Sequence, residues 1–404
     1  MMPMLYYSRQ LVQALTNTRH TSNAVAILMN YLGISVKQFR VDYPLLLFVV
    51  CVSLFGWIMV TTSSMTSGLN IHGSAYYFSI RQLVHIVIML SLLVLVASIP
   101  VSLIKQSVPW LLLMSVVLLL MLHVPNLGRE INGSTRWLHL FGVSFEVSEI
   151  VKWVVILYFS LLLDKQKHSY SHMSWVKMLV VFSIVALLLL KQPDFGSIVV
   201  MTSILLMMAF LYGVPLIFFA MISLSASWVL WFLVQQKSYR VARLMSFQNP
   251  WSDPLGHGYQ LVQSLIAIGS GGIWGVGIGN SMQKWSYLPE SHTDFIFSII
   301  IEELGAIMGS VLIASYAAII LYLLRQGYRH HATFEQQVYY GVASWLCVQT
   351  AIAFSVPMGL LPTKGLTLPL ISYGGSSLVV FGLAFGLLFR IHHESVTGDV
   401  NEAT

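Results

Sequence analysis

Apolar runs long enough to cross a bilayer recur along the chain at about 43–63, 82–99, 108–124, 147–163, 174–191, 196–212, 214–234, 295–324, 338–358 and 371–391. Backbone groups in hydrocarbon must be satisfied within their own segment, so each run is expected to be a helix. The pattern predicts an all-α polytopic membrane protein of about ten transmembrane helices. Polar sequence frames this body. Residues 1–42 read as a tail before the first helix, 43–393 as the membrane domain, and 394–404 as a tail after the last. One sizeable stretch breaks the pattern: a loop over about 235–294, between the seventh and eighth helices.

Composition agrees. The 404 residues are 57% hydrophobic and 9% charged, with a mean hydropathy of +0.78, values no soluble domain reaches. Cys51 and Cys347 both lie in apolar runs and supply neither a disulfide framework nor a metal site. The first forty residues carry Arg9, Arg19, Lys37 and Arg40 but lack the apolar core and cleavage site of a signal peptide. An even number of spans puts both termini on one side. Lys105, Lys165, Lys167, Arg325, Arg329 and Arg390 fall on that side too, which marks it as cytoplasmic.

The opposite side is less orthodox. It receives Arg81, Arg129, Arg136, Lys191, Lys237, Arg240, Arg243, Lys284 and Lys364. Long loops escape the positive-inside bias, which excuses Lys237 to Lys284 but not Arg81, Arg129 or Arg136. An anionic ligand is the natural reason to keep cations there.

Five polar clusters fall on this outer side. In WSYLPESHTDFIFSIIIEELG (285–305), Pro289 stops one helix and the cluster Glu290, Ser291, His292, Thr293, Asp294 opens the next. Asp294 reads equally as a helix cap and as a catalytic group at the water boundary. Glu302 would lie roughly 12 Å deeper along the helix axis, beside Glu303, at a depth where charge is usually functional. In NGSTRWLHLFGVSFEVSEIVKW (132–153), Glu149 and Lys152 are i,i+3 partners. A neutralised pair explains them; a chemical role needs a third group. In KQPDFGS (191–197), Asp194 begins a helix, and capping is the better local reading. In KSYRVARLMSFQNPWSDPLGHGYQ (237–260), Lys237, Arg240 and Arg243 suit phosphate or lipid headgroups, or simply a solvated face. In GLLPTKGLTLPLISYGGSSL (359–378), prolines and glycines interrupt apolar sequence, so the segment is expected to line a cavity, with Lys364 towards it.

Within the long loop, YQLVQSLIAI (259–268) is amphipathic and suits the interface. The run GSGGIWGVGIG (269–279) permits tight turns and close backbone approach but matches no nucleotide fingerprint. Together, outer carboxylates and cations beside lipid fit a reaction on a lipid-linked anionic substrate, with a carboxylate as general base and cations on a phosphate leaving group. A transporter of an anionic lipid or sugar fits equally well.

The motifs go further. RQL (81–83), NGSTRW (132–137), SEIVK (148–152), QPDFG (192–196), SFQNPWSDPLGHGYQLVQSL (246–265), LPESHTDFIFSIIIEELG (288–305) and LPTKGLTLPLISYGGSSL (361–378) occur in order over most of the chain. In them the chain resembles the SEDS family (shape, elongation, division and sporulation), bacterial peptidoglycan glycosyltransferases with ten membrane helices. PTKGLTLP, SYGGSS and the leading tail are more similar to the division branch than to the elongation branch.

The resemblance implies polymerisation of lipid II, an undecaprenyl-pyrophosphate disaccharide-pentapeptide, at the septal inner membrane. Asp294 matches the family's essential aspartate, implying a base on the acceptor 4-hydroxyl and release of undecaprenyl pyrophosphate with inversion. Arg81, Arg136, Glu149, Lys152 and Asp194 match other polar family positions. Lys364 and Ser372 follow from it as further assignments, and the outer-side polar groups Arg243, Lys284, Glu290 and His292 complete the expected substrate-binding set. Magnesium or manganese is a candidate cofactor. A class B penicillin-binding protein transpeptidase and other divisome membrane proteins are the implied partners, with no nucleic acid. Two departures stand out. Glu146-Val147-Ser148-Glu149 replaces the usual QPSE, and Ala353, Ser355 and Pro357 replace asparagines and a glycine. A lipid II flippase and a non-catalytic division scaffold are the rival readings. The outward bias of the charges favours the enzyme over the flippase.

Overall fold

The computed structural model describes residues 39–398 except 125–126, 132–133, 141–142, 169–171, 216, 218, 220–246, 257, 332 and 364. In chain order the described helices are α1 Tyr43–His72, α2 Tyr77–Ala97, α3 Val101–Met121, α4 Val147–His168, α5 His172–Lys191, α6 Phe195–Tyr212, α7 Tyr259–Gly271, α8 Ile296–Arg329, α9 Phe334–Ser355 and α10 Gly375–Thr397. Eight of them are long and apolar enough to cross a membrane. The chain is therefore a multi-pass membrane protein. The short α7 is one of the other two. The second is α4, which carries Glu149, Lys152, Asp164, Lys165 and Lys167, yet is buried along almost its whole apolar length. The run expected to span at 214–234 lies almost wholly outside the described residues.

Helix α1 outruns its apolar stretch because its polar half is satisfied locally. Thr61, Thr62 and Ser63 donate back to carbonyls one turn earlier, those of Trp57, Met59 and Val60. Its start is capped by Asp42, which accepts from Leu45 N at 3.3 Å. Burial then sorts the bundle. The apolar windows of α9 and α10 are 72% and 67% buried, against 17% for α3, so α9, α10 and α4 form the centre and α3 lies at the lipid-facing rim.

The helical bundle carries one β element that the pattern of spans does not predict. Between α3 and α4 stands an antiparallel sheet in the order β1 Gly128–Ile131, β2 Ser134–Leu140, β3 Val143–Glu146. Ile131 pairs with Ser134 across β1 and β2, and Leu140 with Val143 across β2 and β3. Such an open-edged sheet is tolerable only outside the hydrocarbon, where water satisfies its edges.

The glycine-rich run serves the fold. Helix α8 is broken at Gly305, where φ is 81° and ψ is 171°. The segment after α7 pairs across that break. Val276 N donates to Glu302 O at 2.9 Å, Gly277 N to Glu303 O at 2.9 Å, and Ala306 N to Gly272 O at 2.9 Å. A β-carbon on Gly305 would meet Ile273 O at 2.2 Å, so this approach requires glycine. The deep carboxylate of Glu302 is satisfied here, by the Ser281 hydroxyl and by Met282 N at 2.9 Å.

Two of the cations expected on the tail side, Lys105 at the start of α3 and Arg390 near the end of α10, are ion-paired at one end of the bundle. There Lys105 meets Asp164 at 2.6 Å, and Arg390 meets Glu394 at 2.6 Å. At the opposite end a large cavity opens.

Candidate active site

The cavity has a volume of about 1530 Å³ and is walled by α2, the β2–β3 hairpin, the start of α4, the turn before α8, and the broken segment 363–377. It gathers Arg81, Arg136, Glu149, Glu290 and Asp294 from distant parts of the sequence. On one flank Ile80, Val84 and Ile88 repeat at one helix turn along α2. They line the cavity yet are 60%, 51% and 41% exposed, so the cavity edge is apolar and open to lipid.

Asp294 is positioned by backbone clamps. The Ser372 hydroxyl donates to Thr293 O at 2.7 Å and accepts from Leu368 N at 2.8 Å. Tyr373 N donates to His292 O at 2.9 Å, and Gln82 Nε2 to Ser372 O at 3.3 Å. These bonds tie the turn ahead of α8 to the segment before α10. Gly365 lies beneath the aspartate, where a side chain would press on the Asp294 carboxylate. Glu290, which lines the cavity, holds φ at 55°, an uncommon conformation for a residue with a β-carbon. Its carboxylate accepts from the Thr293 hydroxyl at 2.7 Å. His292 points away from the cavity, against Phe78 and Tyr373 at ring separations of 4.6 and 5.8 Å. Burial lowers its pKa, with Glu290 opposing, so the ring is neutral near pH 7.

The facing wall is built from two ion pairs. Arg136, on β2, meets Asp194 at 3.2 Å; Lys152 meets Glu149 at 2.6 Å one turn along α4. Asp194 is thus both a cap, accepting from Ser197 N at 3.2 Å, and the partner of a cavity arginine. Lys152 is 1% exposed and reaches the cavity only through Glu149. Among the described residues, Glu149 Oε2, Asp194 Oδ2 and Arg136 Nε have no hydrogen-bond partner. Orphaned buried groups of this kind mark where a polar ligand would complete the network. Arg81 lines the cavity, rests over the Tyr77 ring at 4.5 Å and is hydrogen-bonded with Tyr373.

Not every expected residue arrives here. Lys284 is buried, donates to Gly279 O and stands 3.7 Å from Glu303, away from the cavity. Ser372 and His292 support the site from behind. Arg243 and Lys364 lie outside the described residues. Conversely, His85, Trp137, Thr367 and Tyr373 line the cavity unforeseen. His85 stands one turn beyond Arg81, and that spacing was the available signal. No three His, Cys, Asp or Glu side chains converge into a metal-holding group among the described residues.

The geometry combines a carboxylate, two arginines and a lipid-facing apolar edge. It can accept a proton from a hydroxyl at one wall and stabilise phosphate charge at another. Comparisons with known proteins point the same way. The model of the FtsW/RodA/SpoVE family of cell cycle proteins matches residues 43–397. The probable peptidoglycan glycosyltransferase FtsW of Thioalkalivibrio sp. (strain K90mix) is 41% identical over 360 residues, covering 88% of this chain and 90% of that protein. Its namesake in Pseudomonas fluorescens (strain SBW25) is 41% identical over 370 residues, covering 90% and 91%. In fold, the chain is similar to one from a structure titled as a peptidoglycan synthase complex coordinating polymerization and crosslinking. That match has a TM-score of 0.73 at 24% identity, over 88% of this chain and 99% of that one. It is also similar to the rod shape determining protein RodA of Thermus thermophilus, with a TM-score of 0.62 at 24% identity over 88% and 97%. The chain belongs to the FtsW/RodA/SpoVE family of cell cycle proteins.

Proposed function

We propose that the chain is a peptidoglycan glycosyltransferase that polymerises lipid II at the extracytoplasmic face of the bacterial inner membrane. The observation that carries this reading is the placement of Asp294 in a lipid-edged cavity that also holds Arg81 and Arg136. The names of the relatives support it. In the proposed step Asp294 takes the proton of the acceptor sugar 4-hydroxyl. The oxygen attacks the donor anomeric carbon from the face opposite the leaving group. The bond from that carbon to the phosphate oxygen breaks, its electrons leave with undecaprenyl pyrophosphate, and the configuration inverts. Arg81 and Arg136 stabilise the charge that develops on the phosphates. The isoprenoid tail lies along the apolar edge formed by Ile80, Val84 and Ile88.

The division septum is the proposed place of work, with both tails cytoplasmic. A class B penicillin-binding protein supplies crosslinking. The test is glycan polymerisation from labelled lipid II by the purified chain, alone and with its cognate transpeptidase, against Asp294→Asn. Polymer from the wild type and none from the folded variant is expected. Equal polymer from both would remove Asp294 from the chemistry.

A further inference from the structure

The step above leaves Glu146 unused, although it lines the same cavity. It closes β3, opposite Trp137 of β2, and leads directly into α4. Its backbone N donates to the Ser376 hydroxyl at 2.9 Å, and its Oε1 accepts from the Ser148 hydroxyl at 2.8 Å. The charged neighbours are Glu149 and Lys152 on α4, Asp194 at the cap of α6, and Arg136 on β2. Arg81 and His85 on α2 line the cavity with it, and the first turn of α10 offers only Ser376 and Ser377. With Glu146 ionised this wall holds three carboxylates (Glu146, Glu149, Asp194) against two cations, Lys152 and Arg136. With Glu146 neutral the wall is balanced. The adjoining Glu149 is buried, lines the cavity and keeps one oxygen without a partner, so the network is incomplete without a ligand.

We propose that Glu146 is a proton-linked determinant of anionic headgroup binding in this cavity. Neutral, it leaves the wall balanced and offers an O–H to a phosphate oxygen. Ionised, it repels that oxygen and has no proton to give. Binding therefore takes up a proton from water, and release of the anion returns it. Burial first, then Glu149, push the Glu146 carboxyl up to about 7, with Lys152 and the Ser148 hydroxyl opposing and Asp194 adding to the rise. Both forms are accordingly populated near neutral pH.

The inference rests on the cavity being the headgroup site, and the test separates the two. Binding of a polyprenyl pyrophosphate to the full chain in nanodiscs is measured from about pH 6 to about pH 8.5, for wild type and Glu146→Gln, a range that brackets the titration. The ligand's own ionisation is common to both proteins, so the ratio of their affinities isolates Glu146. The two should bind alike at the acid end, and the wild type should fall behind by on the order of tenfold at the alkaline end. Parallel curves would overturn the inference while leaving the cavity reading intact. Absence of binding by both would overturn the cavity reading and the inference with it. If Glu146→Gln does not fold, Ser148→Ala serves. Loss of a hydroxyl that favours the carboxylate should move the midpoint of the binding curve to higher pH, and an unmoved midpoint would sink the idea.

Discussion

A β-carbon on Gly365 would stand 2.7 Å from Oδ2 of Asp294. The glycine is the floor on which the carboxylate lies, and what must yield to a methyl group is the end of a side chain, not backbone. Gly365→Ala should therefore leave the fold and thermal stability nearly unchanged while displacing the carboxylate. A misplacement of this size in a proton acceptor costs on the order of 10²-fold in turnover. Glycan polymerisation measured beside a melting curve checks both halves of the statement.

Ser372 makes a different prediction, because its hydroxyl binds backbone on two sides. Ser372→Ala leaves Leu368 N and Thr293 O without their buried partner, at about 1–3 kcal/mol. The turn carrying Asp294 loosens with it. Both the melting temperature and kcat should fall, with KM much less affected. A variant that keeps full stability and raises only KM would instead put Ser372 in contact with substrate.

For the Glu149–Lys152 pair, charge and stability can be separated. Removing one partner strands a buried charge and costs about 3–5 kcal/mol. Lys152→Met alone should be poorly folded. The double variant Glu149→Gln with Lys152→Met restores neutrality and should recover most of the melting temperature. Turnover should stay low if Glu149 faces the substrate as its cavity position indicates. Recovery of activity together with stability would reduce the pair to a structural element.

The spans were legible in the sequence because hydrocarbon allows so few solutions. Nine of the ten expected runs coincide with described helices, and the amphipathic 259–268 stretch is α7. The sheet was not read, although Asn132-Gly133 between two short polar–apolar alternations is a strong hairpin signal. Helix α4 shows the reverse. Its charges suppress its hydropathy, yet it lies at the centre, since Lys152 is neutralised by Glu149 within one turn. What no local pattern could give was pairing at a distance. Arg136 with Asp194, Ser372 with Thr293, and Gly365 beneath Asp294 each join segments far apart in the chain. Lys284 was assigned by its sign and lies instead against Glu303, where it supports the loop.

Gly305 tests that supporting role. Its φ of 81° and the 2.2 Å approach of Ile273 O leave no accommodation for a β-carbon, since the obstacle is backbone. Gly305→Ala should cost more than about 2 kcal/mol, through strain at a left-handed position and loss of the backbone pairing across the break. Protection of the Val276 and Gly277 amides from hydrogen exchange should drop first, before the melting temperature of the rest of the bundle moves.

The pH dependence of stability should be shaped from two sides. His292 has a folded pKa below its ordinary 6.5, chiefly through burial. Below that value the unfolded chain binds a proton that the folded one refuses, so stability falls as pH drops under 6.5. Glu146 works in the opposite sense. Its folded value of about 7 exceeds the ordinary 4.5, so the folded chain holds the extra proton between them, and stability falls as pH rises through that window. His292→Gln should thus flatten the acid limb of the melting curve against pH. Glu146→Gln should flatten the opposing slope and be stabilising relative to wild type above pH 7 but much less so near pH 5. A Glu146→Gln melting profile parallel to wild type across the whole range would show that the carboxyl is already ionised in the folded protein near pH 5. The same result would predict a flat ratio of headgroup affinities.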